Sequence, residues 1–191
     1  FNITSNDGLI SLNGLNNLTT INGGLTVSNN SSLINLTGLE SLATMQSSIS
    51  ILNNSSLNNF QGLNNLSVIA GGLIISNNEE LINFSGLDNL NIIEQDLQVN
   101  DNGKLENFAG LENLDTIRNS FWIDNNGTLT NLMGLNNLKN TGGPFTISNN
   151  GILNLSGAET LTSVSGYVSI DNNENLQDLS GLENLSTIGQ F

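Results

Sequence analysis

A period of 24 residues runs through the whole chain and restricts it to repeat architectures. The anchor of each copy is a glycine followed by an apolar residue, and successive anchors lie 24 residues apart except for one interval of 23. The anchors are Gly14, Gly38, Gly62, Gly86, Gly110, Gly134, Gly157 and Gly181. We place the deletion between Leu153 and Leu155. A unit this short has no core of its own, so each copy must bury its apolar residues against its neighbours.

Two spacings of apolar residues coexist inside each copy. Leu25 and Val27 are two apart, which predicts a strand. From Leu33 to Met45 the spacing is three, which favours tight turns or short 3₁₀ arcs over an α-helix, and Gly38 weakens a helix further. We therefore predict an all-β fold, a parallel β-solenoid of eight coils of about 24 residues with one main strand per coil. Residues 1–191 would form this single solenoid, with strands stacked about 4.8 Å apart.

Asparagine recurs in rows along the repeat. One row follows the strand in all eight copies: Asn6, Asn30, Asn54, Asn78, Asn102, Asn126, Asn150 and Asn173. Asparagine tolerates unusual turn dihedral angles, and its amide both donates and accepts hydrogen bonds. We predict an asparagine ladder that satisfies turn backbone groups in adjacent coils. Two further rows, interpreted as structural, contain Asn35, Asn59, Asn83, Asn107 and Asn131, and Asn17, Asn65, Asn89, Asn113, Asn137 and Asn184.

The unit from Leu18 to Leu36 resembles leucine-rich repeats, and most of all the receptor L-domain type of growth-factor receptor ectodomains and bacterial surface proteins. The nearest matches are LTVSNNSSL, from Leu25 to Leu33, and LIISNNEEL, from Leu73 to Leu81. The chain differs in its three residues between Ile21 and Leu25 and in its lack of cysteine. The resemblance implies a right-handed solenoid that binds proteins or glycans at a cell surface. It implies an extracellular location and no catalytic residues.

Composition narrows the classes of partner and chemistry. Seventeen acidic residues against three basic ones give a net charge of −14, which excludes the counterion-releasing surface that nucleic acid requires. The sequence has no cysteine and no histidine, so disulfides, zinc sites and the usual general base are excluded. No apolar run is long enough to insert into a membrane. We expect no enzyme activity, cofactor or metal, and we expect a piece of a longer extracellular chain because residue 1 lies inside a repeat.

The outward side chains of the strands form the one regular surface on which a ligand site is expected. Most of these side chains are small and polar, and Leu52, Ile74 and Trp122 are the apolar exceptions. Trp122 suits stacking on a sugar ring or anchoring a partner side chain, and a singly exposed or module-covered tryptophan is the alternative. The predicted ligand-binding residues are Leu52, Ile74, Gln98, Asn100, Trp122 and Asp124.

Acidic residues two positions after the anchor glycine form a stripe: Glu40, Asp88, Glu112, Glu159 and Glu183. Calcium needs about six to eight converging oxygens, and no Asp-x-Asp-x-Asp-Gly run occurs in the sequence. We interpret the stripe as a solvated edge, with weak calcium binding as the alternative.

Three functions remain open at this point. The leading hypothesis is a secreted or cell-surface recognition or adhesion module that binds protein or glycan through the outer strand face. The second is a structural subunit that self-associates end to end into an extracellular fibre, which light scattering would test. The third is an ice-binding protein, against which Trp122, Gln98 and Asp124 in the face argue; a thermal-hysteresis assay would test it.

Overall fold

The computed structural model describes residues 1–190, which form an all-β solenoid without a helix in that range. Coil 1 contains β1 and β2, and each later coil contains the next two strands in the same order. The strands are β1 Asn2–Thr4, β2 Thr20–Ile21, β3 Leu25–Ser28, β4 Thr44–Met45, β5 Ile49–Leu52, β6 Val68–Ile69, β7 Leu73–Ser76, β8 Ile92–Ile93, β9 Leu97–Asn100, β10 Thr116–Ile117, β11 Phe121–Asp124, β12 Asn140–Thr141, β13 Phe145–Ser148, β14 Ser163–Val164, β15 Val168–Asp171 and β16 Thr187–Ile188.

The sixteen strands form two parallel sheets of eight. The odd-numbered strands make the long-strand sheet and the even-numbered strands make the short-strand sheet, each in sequence order. Equivalent residues of successive coils pair directly, so Phe121 lies between Leu97 and Phe145. The predicted parallel β-solenoid of eight coils is confirmed. The short strands lie at the end of the stretch that was predicted to form turns. They count as strands because residues such as Val68 and Ile69 pair with their equivalents in the preceding and following coils.

The core is a continuous column of inward-facing apolar side chains. Leu25, Val27 and their equivalents through coil 7 are fully buried. Phe60, Phe84 and Phe108 stack with ring centroids 5.3 and 5.2 Å apart. A second stack of Phe121 on Phe145 at 4.7 Å meets the first where Phe108 and Phe121 lie 6.1 Å apart. Each coil therefore fills the core of its neighbours.

The asparagine ladder is confirmed, and its members in coils 2 to 7 are buried. Asn102 illustrates it: its Oδ1 accepts the backbone N–H of Asn78 at 3.0 Å, and its Nδ2 donates to the carbonyl oxygens of Ile75 and Asn100 at 3.2 and 2.9 Å. The side chain is fully buried. The residue before each ladder asparagine has φ between 53° and 59°, the left-handed region in which asparagine and aspartate are favoured. This sharp turn directs the ladder amide into the interior.

The other two asparagine rows also serve the backbone. Asn35 accepts the backbone N–H of Thr37 at 3.1 Å, a local turn that recurs at Asn59, Asn83, Asn107 and Asn131. Asn113 Nδ2 donates to the carbonyl of Asp88 in the preceding coil at 2.7 Å. These rows hold turns in shape and join coils at the surface.

The seventh copy is one residue short, and the position predicted for the missing residue, between Leu153 and Leu155, is wrong. Ile152 is fully buried, like Leu129 one coil earlier, whereas Leu153 is 39% exposed. The backbone N–H of Leu153 donates to the carbonyl of Thr130 at 2.8 Å, so Leu153 is equivalent to Thr130 and not to a core leucine. The missing residue therefore falls between Asn150 and Ile152.

Candidate functional site

The outer face is the solvent side of the long-strand sheet and consists of three rows of side chains. In the four-residue strands, the first row is the residue just before the strand, the second row is the second strand residue, and the third row is the fourth strand residue. In β1 the second and third rows are Asn2 and Thr4. In β5, β7, β9 and β13, inward residues are buried and outward residues are partly exposed. The alternation predicted from the sequence is confirmed, and it places the candidate residues on one surface.

Strand register brings the six predicted ligand-binding residues together. Gln98 pairs with Ile74 on one side and with Trp122 on the other, within the second row. Asn100 pairs with Asp124 in the third row. Leu52 pairs with Ser76 and so lies diagonally beside Ile74. The set covers coils 3 to 6, a length of roughly 14 Å at about 4.8 Å per strand.

Trp122 is the most accessible of the apolar residues in this set. Its side chain is 45% exposed, whereas Leu52 and Ile74 are partly covered by their neighbours. Its strand neighbours Phe121 and Ile123 are fully buried, which fixes the backbone that carries the indole. Trp122 therefore presents an aromatic surface from a rigid strand.

Asp124 forms the polar side of the same surface. Its Oδ1 accepts hydrogen bonds from Ser148 Oγ at 2.9 Å and from Asn149 Nδ2 at 2.7 Å. Both donors belong to the next coil, so the carboxylate is fixed in position. Asn100 Oδ1 is buried without a hydrogen-bond partner among residues 1–190.

A shallow groove of about 340 Å³ extends from Trp122 toward the end of the sheet. It is lined by Ser120, Trp122, Pro144, Thr146, Ser148 and Tyr167. Of these, the sequence-based site contained Trp122 alone. The outward alternation extends to the residue before the strand, which is where Ser120, Pro144 and Tyr167 lie. Continuing the alternation by one residue before each strand would have identified these three positions from the sequence. Tyr167 would also have been noticed as the single tyrosine of the chain.

The acidic stripe has a role in the turns. Glu112 Oε2 accepts the backbone N–H of Gly110 at 2.8 Å, and the other four acidic residues do the same for their anchor glycines. Asn64 replaces the carboxylate in another coil and accepts from Gly62 at 3.1 Å. Within residues 1–190, no three acidic side chains are grouped to hold a metal ion. The stripe therefore stabilises the turn that follows each glycine.

The three basic residues are all neutralised by acidic residues one repeat earlier. Lys104 pairs with Glu80 at 2.7 Å, Arg118 with Glu94 at 2.6 Å, and Lys139 with Asp115. These ion pairs join adjacent coils at the surface. The remaining charge is strongly negative, which favours neutral or cationic ligands.

We expect Lys139→Met to raise the pKa of Asp115. The Lys139 ammonium donates a hydrogen bond to this carboxyl and lowers its pKa, and the Thr116 hydroxyl lowers it further. Because the folded-state pKa is depressed, the ion pair stabilises the fold above the unfolded-state pKa, and the stabilisation is lost as the pH falls through the folded-state value. This ion pair stabilises the fold by less than about 1 kcal/mol because it lies at the surface.

NMR titration of the Asp115 carboxyl carbon measures this pKa directly. Lys104→Met, which breaks a different surface pair, is the matched control and should leave the Asp115 pKa unchanged. An Asp115 pKa that is the same in Lys139→Met and in the wild type would contradict the assignment.

Comparison with known protein families, with curated protein sequences and with solved structures found no match. Among residues 1–190, no helix has the length and apolarity needed to cross a bilayer. The strand pairing shows a parallel β-solenoid, and the resemblance to leucine-rich repeats rests on residue spacing.

Proposed function

We propose that the protein is a non-enzymatic recognition or adhesion module that binds protein or glycan through its outer face. The observation that supports this most is the 45% exposure of Trp122 in a surface of otherwise mostly small polar side chains. Tryptophan is enriched among residues that dominate binding energy. Asp124 beside it supplies a fixed acceptor for orienting a ligand.

The rigidity of the face also supports a binding role. All side chains of the outer face are mounted on or next to parallel strands that pair on both sides in coils 2 to 7. A site built on strands loses little conformational freedom when a ligand binds. Binding energy is therefore not spent on ordering the surface.

The residue spacing supports a more specific assignment. Its resemblance to the receptor L-domain type of leucine-rich repeat favours a secreted or cell-surface location, which we propose for this chain.

A non-enzymatic role is favoured because the sequence has neither histidine nor cysteine. The five carboxylates of the acidic stripe are engaged by backbone N–H groups of turns.

Binding of the labelled chain to an array of glycans and purified cell-surface proteins tests the proposal. Trp122→Ala and Ile74→Asp should each weaken every specific signal at least about tenfold, the loss expected for a central binding residue. Met133→Ala and Ile82→Asp are the matched controls, since these side chains are 48% and 42% exposed outside the outer face. Both controls should bind like the wild type.

Two results would count against the outer face. One is the absence of any saturable signal on the array. The other is wild-type binding by both outer-face variants, or an equal loss in the controls, with folding of all variants verified by circular dichroism.

A further inference from the structure

We infer that the groove between Trp122 and Tyr167 binds a pyranose ring of an uncharged glycan. This inference rests on the proposed function and specifies its ligand class. It also adds Pro144 and Thr146, two coils beyond Gln98 and Asn100, and Tyr167, three coils beyond them, to the binding surface. The argument follows from the shape, the chemistry and the charge of the groove.

The shape comes from a large, small, large sequence of side chains across three coils. Trp122 lies on coil 6, Thr146 pairs with it on coil 7, and Tyr167 lies just before the strand of coil 8. Two strand spacings, roughly 9.6 Å at about 4.8 Å each, separate the coils of the two aromatic residues. Tyr167 also lies two residues before Ser169, the register equivalent of Trp122, which adds an offset of roughly 6.6 Å along the strand direction. The backbone positions of Trp122 and Tyr167 are therefore roughly 12 Å apart. A ring in contact with both aromatics needs about 7–8 Å, two contacts of about 3.5–4 Å each, so the groove has room for one sugar ring.

The lining offers both kinds of contact that a sugar makes. The C–H faces of a pyranose ring are apolar and suit Trp122, Tyr167 and the Pro144 ring, while its hydroxyl groups require hydrogen-bond partners. Ser148 Oγ donates its proton to Asp124 Oδ1 at 2.9 Å, so its lone pairs remain for accepting a ligand hydroxyl. Thr146 and Ser120 add hydroxyl groups to the lining.

Charge selects the kind of glycan. None of the six lining residues is charged, and the protein has a net charge of −14. An anionic sugar would be repelled by this field, and a cationic group would find no carboxylate in the lining itself. An uncharged sugar has neither disadvantage.

The size of the groove favours a glycan over a protein partner. A volume of about 340 Å³ lies within the range of small-molecule sites. A stable protein interface buries about 800 Å² on each partner and has a well-packed apolar centre. The large apolar residues nearest the groove on this face, Ile74 and Leu52, lie on coils 4 and 3, away from its coil 8 end.

The single tryptophan of the chain makes the test specific to this site. Trp122 fluorescence is recorded while cellohexaose, chitohexaose or mannohexaose is added to the full chain, with a heparin hexasaccharide as the anionic comparison. We expect a saturable fluorescence change with at least one uncharged sugar and none with the heparin fragment. Calorimetry supplies the affinity for variants that lack the tryptophan.

Variants of the opposite wall separate stacking from hydrogen bonding. Tyr167→Ala retains the fluorescent reporter and should weaken binding at least about tenfold. Tyr167→Phe keeps the aromatic ring and should stay within about threefold of the wild type, a change of about 0.7 kcal/mol. Met133→Ala, outside the outer face, is the control and should change nothing.

Three outcomes distinguish this inference from the proposed function. Loss of sugar binding in both Trp122→Ala and Tyr167→Ala, with retention in Tyr167→Phe, supports the inference. Array binding of proteins that depends on Trp122 and Ile74, with no fluorescence response to any sugar, overturns the inference and leaves the proposed function standing. The absence of both sugar binding and array binding overturns both.

Discussion

Gly110→Ala is expected to destabilise the folded chain by about 3 kcal/mol or more, from forced backbone strain and overpacking together. Gly110 has φ of 103°, in a region that side chains with a Cβ rarely adopt. A Cβ at this position would lie 2.2 Å from the carbonyl oxygen of Phe84 in the preceding coil. Relief requires moving backbone, because the clash is not with the end of a flexible side chain. Urea unfolding followed by circular dichroism measures the effect.

Gly103→Ala is the matched control for this measurement. A Cβ at Gly103 meets no atom within 4 Å, and its φ lies outside the left-handed region. Alanine there restricts the unfolded chain, so the expected effect lies between neutral and about 1 kcal/mol of stabilisation. Similar unfolding midpoints for the two variants would contradict the close stacking of anchor glycines on the preceding coil.

Asn102→Ala is expected to lower the free energy of unfolding by about 1–3 kcal/mol, since the buried backbone N–H of Asn78 in the preceding coil loses its partner. The carbonyl of Ile75 also loses the Asn102 amide and keeps its pairing within the sheet. Asn78 and Ile75 are both fully buried, so access of water to these groups is poor. The loss would appear in chemical unfolding as a lower midpoint.

Asn113→Ala provides the comparison on the surface. Asn113 is exposed and donates one hydrogen bond, from its Nδ2 to the carbonyl of Asp88 at 2.7 Å. Water replaces this partner, so a change below about 1 kcal/mol is expected. Equal destabilisation by the two substitutions would show that burial of the ladder does not determine its energetic role.

Much of the fold follows from spacing alone. The 24-residue period places each residue beside its equivalent in the next coil, which made the parallel pairing of Phe121 with Leu97 and Phe145 predictable. Alternation around Leu25 and Val27 predicted which strand residues point inward. The ladder was predictable because asparagine recurs at the turn of every coil and its amide both donates and accepts hydrogen bonds.

Other features depend on packing that spacing does not encode. The short strands contain only two residues each, too few for an alternating pattern to appear in the sequence. The position of the deletion was wrong because Ile152 and Leu153 are both apolar, and only burial shows that Ile152 fills the core. A pattern of residue types cannot separate two neighbouring aliphatic side chains.

Part of the candidate site was predictable from strand alternation and register, and the groove was not. Gln98, Trp122 and Asp124 lie on the outer face because strand alternation requires it, and register brings them together. The groove depends on Tyr167, which precedes its strand and lies one coil beyond Thr146. Tyr167 and Trp122 are large side chains with the small Thr146 on the coil between them. This order extends over three coils, so it cannot be recognised within any single repeat.

Native-state amide hydrogen exchange tests most directly the central claim that successive coils satisfy one another's buried groups. The backbone N–H groups of Asn54, Asn78 and Asn102 each donate to the side-chain Oδ1 of the next ladder asparagine, at 3.1, 3.0 and 3.0 Å. We expect these three amides to exchange only through global unfolding, with a free energy of exchange equal to the free energy of unfolding. Exchange at the rate of exposed turn amides under native conditions would contradict the account.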